Sequence, residues 1–292
     1  MKKPILRSLT LGLITLFGAQ AAHTADLRMA VNAPRGAIDA QKWQPLADQL
    51  VAKTGKTIEV VPYSSAKIDD AVANGEVDFA LLNPAGAVLV IEKFKAKPLA
   101  TVKAKGTAFF AGVIFAKKGS GITKPADLKG KKVKGLSIGA SPGGYAFQAY
   151  HLLQQGIDVH KDFASLKDSK KQDEIVSAVK VGIVDAGFIR SGILESMVKE
   201  GKIKLDEFVI IDQRKDDLKP VHSTDLYPEW FLVAAAKTDA GLIKKVQAAA
   251  LKVKASDEAA KTAEIDGFVE AQNLDGLRKA MKALKMAPYD GK

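Results

Sequence analysis

The chain has 292 residues and carries 44 Lys and Arg against 33 Asp and Glu, a formal net charge of +11. It contains no cysteine, which excludes disulfides, thiolate catalysis and cysteine-ligated metals. The lysines are scattered and do not alternate with aromatic residues, so the charge favours solvated helix faces and a general attraction for small anions over nucleic-acid binding.

The first 21 residues have the three-part layout of a secretory signal peptide. A basic start is followed by an apolar run over residues 9–17 and then by small residues. The apolar run is too short to be a stable membrane span. We therefore predict cleavage after Ala21, or as late as Ala25, and export of the mature chain to the periplasm.

The first part of the mature chain alternates short apolar strands with helical patterns. Strands are predicted over residues 27–31, 58–61 and 77–82, and helices over 39–53, 65–73 and 83–94. Strands that alternate with helices indicate a parallel sheet with helices on both faces.

The rest of the chain continues this alternation. Strands are predicted over residues 109–116, 183–188, 208–211 and 227–236, helices over 172–179 and 190–199, a loop around 168–171, and a helical pattern from 239 onward.

Residues 135–158 form the most informative stretch. They read as a strand end, a tight turn over residues 141–144 and a helix. A helix that starts after Ser141 and two glycines leaves several backbone N–H groups free, and the positive end of its dipole favours an anion. A well-capped turn without a ligand is the alternative, because such turns are common in α/β sheets.

The chain contains a short internal sequence repeat, referred to below as the echo. Residues 70–78 resemble residues 177–185 at a constant offset of 107, and both read as a helix, a glycine and a Val-Asp strand. The same offset places Asn83 over Arg190. The echo favours two similar α/β lobes with helix-opening loops at their strand ends, and chance similarity of two short units is the alternative.

No catalytic constellation is visible. The histidines lack ligand spacing, and neither a GxSxG elbow nor a phosphate-binding P-loop is present. The glycines over residues 139–144 do not have the spacing of a dinucleotide fingerprint. We predict no enzymatic activity, no metal and no cofactor, and we assign capping or turn roles to Asp78 and Asp185.

Polar residues gather at the predicted strand ends. In open parallel sheets, ligands bind beyond the carboxyl ends of the strands. The corresponding tips are residues 32–36, 63–65 and 83–85 in the first lobe and 137–145, 170–172 and 188–191 in the second. Their hydroxyls, amides, cations and helix starts suit a small anion with hydrogen-bonding oxygens, which closure of two lobes would bury.

Seven segments carry a family resemblance when taken in order and spacing. They are residues 74–84 (NGEVDFALLNP), 113–118 (VIFAKK), 121–122 (GI), 126–131 (ADLKGK), 139–145 (GASPGGY), 156–158 (GID) and 184–187 (VDAG). With them, nearly the whole mature chain resembles the periplasmic phosphate/phosphite/phosphonate-type (PhnD-like) substrate-binding proteins of ABC importers.

The resemblance implies a two-lobed α/β fold of the type II periplasmic binding proteins, with a mainly parallel, helix-flanked sheet in each lobe and two hinge crossings. Lobe 1 would span residues 26–112 and 225–292, and lobe 2 residues 113–224. Together with the strand-end tips, the resemblance marks these candidate ligand contacts: Tyr63, Ser64, Ser65, Asn83, Ala85, Phe110, Ser141, Gly143, Gly144, Tyr145, Gln172 and Arg190.

The chain departs from phosphonate receptors at three positions. Those receptors tend to have a Ser-Thr-Ser run at the helix start, whereas Ser141 here is followed by Pro142, which has no N–H. Gln172 stands where phosphonate binders have an imidazole, and Arg190 stands where they lack a cation. Arg190 either clamps a carboxylate or tetrahedral oxyanion or forms a surface or hinge ion pair.

The sequence thus predicts a monomeric periplasmic receptor that captures a small oxyanion between its lobes and delivers it to an ABC importer permease. Two alternatives stay open. Residues 141–145 and 227–230 look more like the family branch found in periplasmic sensor modules, which favours a module that partners a sensor histidine kinase. The ligand is otherwise a small organic carboxylate.

Overall fold

The computed structural model describes residues 25–32 and 40–291, and for Ser65 and Ala66 it describes the backbone alone. The predicted signal peptide lies outside the described residues, as does most of the loop predicted over 32–36. None of the helices in the described part of the chain combines the length and apolar character that crossing a bilayer requires.

The strands are β1 (Leu27–Asn32), β2 (Ile58–Tyr63), β3 (Phe79–Leu82), β4 (Lys97–Lys103), β5 (Phe109–Phe110), β6 (Gly112–Lys117), β7 (Lys132–Leu136), β8 (Ser165–Ser169), β9 (Ala186–Arg190), β10 (Phe208–Ile210), β11 (Tyr227–Pro228), β12 (Phe231–Ala234) and β13 (Gly267–Glu270).

The helices are α1 (Gln44–Val51), α2 (Ser65–Ala73), α3 (Pro84–Phe94), α4 (Phe147–Leu153), α5 (Gln172–Lys180), α6 (Ile193–Lys199), α7 (Ala240–Ala250), α8 (Glu258–Thr262) and α9 (Asp275–Ala283). A π-helical turn, Pro142–Ala146, leads directly into α4. Short 3₁₀ turns occupy Pro125–Leu128 and Leu205–Glu207.

Six strands form the first sheet, in the order β13-β4-β12-β3-β1-β2. Strands β3, β1 and β2 are parallel neighbours, whereas β12, β4 and β13 pair antiparallel. Alternation along β3 sends Phe79 into the core shared with α1, α7 and α8, and Ala80 into the core shared with α2 and α3. We call this sheet with its helices lobe 1.

Five strands form the second sheet, in the order β10-β6-β9-β7-β8. Here β9, β7 and β8 are parallel, and β6 and β10 pair antiparallel. Phe115 packs toward α5 and α6, and Ile114 packs in the same core as residues of α4. We call this part of the chain lobe 2.

The predicted α/β class with two helix-flanked sheets is confirmed, but both sheets are mixed rather than mainly parallel. Strands next to the connections between lobes, such as β12 and β6, run against the parallel strands. The chain leaves lobe 1 between Lys103 and Gly112 and returns between Ile210 and Phe231. The lobe limits at 112–113 and 224–225 stay predictions.

The echo in the sequence corresponds to a repeat in the fold. The offset of 107 residues carries both ends of α2 onto the ends of α5, and the starts of β2 and β3 onto those of β8 and β9. The strand order β12-β3-β1-β2 in lobe 1 is matched by β6-β9-β7-β8 in lobe 2. The two loops at Asn83 and Arg190 therefore end equivalent strands.

The paired aspartates of this repeat have a structural task. Asp78 accepts a hydrogen bond from the backbone N–H of Arg28 at 2.9 Å, and Asp185 accepts one from Lys132 at 2.7 Å. Each carboxylate thus satisfies an N–H group near the start of the neighbouring strand, as the predicted capping role requires.

A two-stranded ribbon of β5 and β11 joins the lobes, with Phe110 paired to Tyr227. Tyr227 stacks on Phe147 of α4, with ring centroids 3.8 Å apart. A buried hydroxyl also links the two crossings between the lobes, because Thr224 Oγ1 accepts a hydrogen bond from the N–H of Gly112 at 2.9 Å. The hinge is therefore packed and hydrogen-bonded.

Several segments differ from their predictions. A loop was predicted around residues 168–171, but residues 165–169 form the edge strand β8, whose sequence has no apolar alternation. Strand β4 was not predicted, and β13 interrupts the helical pattern expected after residue 239. The strand predicted over 109–116 divides at Ala111, where the chain passes from the hinge ribbon into lobe 2.

Candidate functional site

A cleft of about 560 Å³ lies between the lobes. The last residues of β1, β3, β7 and β9 all line it, so it opens at the carboxyl ends of both sheets. Its lining includes eight of the twelve predicted contacts: Asn83, Ala85, Phe110, Ser141, Gly143, Gly144, Gln172 and Arg190. Apolar side chains cover much of the remainder: Ile68, Leu82, Leu89, Leu136, Trp230, Met281 and Met286.

Arg190, the last residue of β9, brings a cation to this cleft. Its guanidinium carbon lies 4.4 Å from the centre of the Phe110 ring, in cation–π contact. A guanidinium nitrogen also donates a hydrogen bond to the carboxylate of Glu229. Arg190 thus forms the ion pair that the sequence left open, and it also lines the cleft, where the clamp on an anion stays a prediction.

Glu229 is 4 % exposed, while the Arg190 side chain is 33 % exposed. Burial raises the pKa of the Glu229 carboxyl, and the charge and hydrogen bond of Arg190 counteract part of that rise. The carboxylate therefore fixes one guanidinium nitrogen, while the Arg190 side chain stays partly exposed and lines the cleft.

Gln172 supports the same strand end. Its side-chain oxygen accepts a hydrogen bond from the backbone N–H of Arg190 at 2.6 Å. The amide orientation leaves the NH₂ group of Gln172 as a donor on the cleft wall. Gln172 and Arg190 therefore present donors to the cleft from adjacent positions.

The turn that begins at Ser141 is tightly packed. The Ser141 hydroxyl accepts from the backbone N–H of Gly144 at 3.2 Å. A Cβ atom on Gly143 would lie 2.6 Å from the Phe110 ring, and one on Gly144 would lie 2.6 Å from the Cβ of Leu136. The glycines are thus required by close packing, and one of the N–H groups expected to be free is already bonded.

Asn83 caps helix α3 in a comparable way. Its side-chain oxygen accepts from the backbone N–H groups of Ala85 and Gly86, both at 3.0 Å. The donors at this helix start are therefore also used within the protein, and an incoming anion meets side-chain donors more readily than helix-start N–H groups.

Three predicted contacts, Tyr63, Ser64 and Tyr145, do not line the cleft. Tyr145 is buried and its hydroxyl lies 2.7 Å from Nε2 of His160, within lobe 2. Tyr63 donates from its hydroxyl to Glu76 at 3.2 Å. Ser64 precedes α2 as an exposed residue, and the side chain of Ser65 is not described.

The structure adds a cleft residue that the sequence did not single out. Asp69 of α2 lines the cleft, and its Oδ1 atom is buried without a hydrogen-bond partner among the described residues. Burial, with a smaller contribution from Asp70, raises the pKa of Asp69 to about 6. Within residues 25–32 and 40–291, no group of His, Asp and Glu side chains is arranged to hold a metal ion.

This architecture defines the class of two-lobed periplasmic binding proteins. The family model for the periplasmic phosphonate substrate-binding proteins of ABC transporters matches residues 37–275. The chain belongs to this family, which confirms the resemblance found in the sequence.

Solved structures share the fold. PhnD1 from Prochlorococcus marinus, in complex with methylphosphonate, superposes with a TM-score of 0.66 and 15% identity, covering 89% of this chain and 98% of that one. XAC2383 from Xanthomonas citri, bound to ATP, gives a TM-score of 0.70 and 18% identity, covering 88% and 94%. The predicted type II fold is confirmed.

A curated relative comes from a different kind of protein. The tetrathionate sensor histidine kinase TtrS of Salmonella typhimurium is 30% identical over 210 residues, which cover 70% of this chain. The match covers 35% of that kinase, so the chain spans about a third of the length of this relative.

Proposed function

We propose that this chain is the periplasmic receptor of an ABC importer and captures a small oxyanion in the cleft between its lobes. The observation that carries the proposal is Arg190, a guanidinium that faces the cleft while Phe110 and Glu229 fix its position. A planar guanidinium matches two oxygens of an oxyanion at once, which suits tetrahedral oxyanions and carboxylates.

Neighbouring groups suit the same ligand. The amide of Gln172 and the hydroxyl of Ser141 lie on the lobe 2 wall, and the apolar wall includes Leu89 and Trp230. An anion with a small apolar substituent would satisfy both kinds of surface. Closure of the lobes on such an anion would exclude water and strengthen each polar contact. The closed receptor then delivers the anion to the permease.

A second candidate is a ligand-sensing module that partners a sensor histidine kinase. The observation that favours it is the 30% identity to the tetrathionate sensor kinase. Under this proposal the same cleft binds a sulfur oxyanion, and the ligand-bound form docks on the kinase.

A thermal-shift panel at about pH 7, followed by calorimetry of each hit, tests the binding proposal. The panel contains phosphate, phosphite, methylphosphonate, sulfate, thiosulfate, tetrathionate, arsenate and acetate. Because a ligand at about a hundred times its Kd stabilises the native state by about 2.7 kcal/mol, a true ligand shifts the melting temperature by several degrees. An unchanged melting temperature with every anion of the panel would contradict an oxyanion site.

Uptake separates the two candidates. Cells with the gene deleted should lose accumulation of the labelled ligand if the protein serves an importer, and regain it when the gene is restored. Unchanged uptake, together with loss of a ligand-dependent kinase response, would favour the sensing module.

A further inference from the structure

Asp69 is the unexpected group in a cleft proposed to hold an anion. It belongs to α2 of lobe 1, and its Oδ1 lies 3.3 Å from the position a Cβ atom would take on Gly86, at the start of α3. The N–H of Gly86 is already bonded to Asn83, so it does not satisfy this oxygen. Oδ1 is therefore a buried acceptor that lacks a donor among the described residues, and it belongs to a carboxyl group whose residue lines the cleft.

The repeat between the lobes shows how unusual this residue is. The offset that superimposes α2 on α5 places Asp69 over Val176, which is completely buried. The preceding residues, Ile68 and Ile175, are both apolar and buried. A position that packs an apolar side chain in one lobe thus carries a carboxyl group in the other, and it faces the cleft.

A carboxylate at this position changes which anions fit. A buried acceptor without a donor is unfavourable, and an anion that offers only bare oxygens adds repulsion. An anion with an acidic O–H, or with an N–H on its substituent, can instead donate a hydrogen bond to this cleft-lining carboxylate. In the described residues the only other charge that acts on this carboxyl is that of Asp70, on the same helix.

We propose that Asp69 is a specificity-determining residue that accepts a hydrogen bond from the bound ligand, so the cleft selects oxyanions that carry a hydrogen-bond donor over oxyanions that carry none. The inference rests on the proposed function, because it concerns the ligand of the same cleft. Asp69 would contact the ligand from lobe 1, whereas Arg190 and Gln172 would bind its anionic oxygens from lobe 2.

Two pairs of probes of matched shape test the inference by calorimetry at about pH 7. Methylphosphonate has an acidic O–H, and methanesulfonate is similar in shape without one. Taurine has an ammonium N–H, and propane-1-sulfonate has a methyl group in its place. The first pair tests a donor on the anionic head, and the second tests a donor on the substituent. Each is measured on the wild type, on Asp69→Asn and on the control Asp70→Asn.

The wild type should bind the donor-bearing member of at least one pair about tenfold or more tightly, because the other member leaves the carboxylate acceptor unpaired. Asp69→Asn offers an NH₂ donor, so it should bind the donor-free member more tightly and lose the preference. Asp70→Asn should keep it.

Equal affinity for both members of each pair in the wild type, or a preference that survives in Asp69→Asn, would overturn the inference while oxyanion binding stands. If none of the four anions nor any panel oxyanion binds to the wild type or to Asp69→Asn, the proposed function has failed and the role of Asp69 fails with it.

Discussion

Arg190, at the end of a strand in lobe 2, is hydrogen-bonded to Glu229, which lies between the hinge strand β11 and strand β12 of lobe 1. The pair therefore spans the boundary between the lobes beside the cleft. Glu229 is nearly inaccessible to solvent, and burial raises its pKa. Arg190 thus has two tasks, because it presents a cation to the cleft and compensates a buried carboxylate.

The second task predicts that truncating Arg190 destabilises the protein. In Arg190→Met, Glu229 is left as a buried carboxyl without its cation, and the free energy of unfolding should fall by about 3 kcal/mol. Adding Glu229→Gln should recover most of the loss, because the neutral amide needs no counter-charge. Urea unfolding of the two single variants and the double variant gives the coupling directly. Additive effects would show that the pair contributes no coupling.

The first task predicts a separate effect on binding. Arg190→Lys keeps the positive charge for Glu229 but loses the planar fork. The affinity for the best oxyanion of the panel should fall by about tenfold or more, while the loss of stability stays below that of Arg190→Met. Calorimetry and urea unfolding measure the two quantities on the same samples. Unchanged affinity in Arg190→Lys would argue against a guanidinium that binds two oxygens.

Gln172→Glu tests the charge that the cleft prefers. The new carboxylate can still accept from the N–H of Arg190, so the free energy of unfolding should change by less than about 0.5 kcal/mol. It also places a negative charge on the cleft wall and should weaken oxyanion binding by about tenfold. Ser177→Glu adds the same charge at an exposed position of the same helix and is the control. Equal affinities in the two variants would contradict an anion site.

Local sequence patterns were sufficient to predict much of the architecture. The alternation of apolar strands with helical patterns and the repeat at an offset of 107 predict equivalent units in both lobes. Helix α2 matches its predicted bounds. Strand β8 was not predicted because its residues, SLKDS, lie at a sheet edge and show no apolar period. Strand β13 depends on pairing with β4, about 170 residues earlier in the chain, which a local pattern does not reveal.

The cleft was predicted less completely, for a physical reason. Strand ends identify which loops gather at the cleft, and eight predicted contacts line it. Side-chain direction is a tertiary property, so Tyr145 packs into lobe 2 although it is next to Gly144. Whether Asp69 faces solvent or the cleft likewise depends on how α3 packs against α2. The sequence repeat could have drawn attention to Asp69, because it aligns this carboxyl group with Val176, a buried apolar residue.

Asp69 should make the stability of the protein depend on pH. Its pKa of about 6 in the folded protein lies above the ordinary value of 3.8, so the folded state binds more protons between these values. Stability from this group is therefore greatest in acid and declines as the pH rises from about 4 to about 6. Asp69→Asn removes the decline and should raise the free energy of unfolding at about pH 7.5 by on the order of 2 kcal/mol, with little change near about pH 4.

Urea unfolding at both pH values measures this difference. Asp70→Asn is the matched control, because Asp70 is an exposed neighbour on the same helix. A gain of equal size at both pH values would show that the carboxyl group is not desolvated.

Gly143→Ala tests the packing that sets the position of the Arg190 guanidinium. The added Cβ would lie 2.6 Å from Cε2 of Phe110 and 3.3 Å from Cβ of Arg190, so the ring has to move. Overpacking of this kind costs about 1 to 3 kcal/mol, and displacement of the ring should also weaken oxyanion binding. Adding Phe110→Leu to Gly143→Ala should restore stability but not affinity, because Leu has no ring for the guanidinium to stack on.

Gly276→Ala is the control. Gly276 lies in α9, and the nearest atom to an added Cβ would be 4.0 Å away, so the substitution should stabilise the protein by about 0.5 to 1 kcal/mol. If Gly143→Ala is as stable as Gly276→Ala and binds the same anions, the contact between Gly143 and Phe110 does not position Arg190.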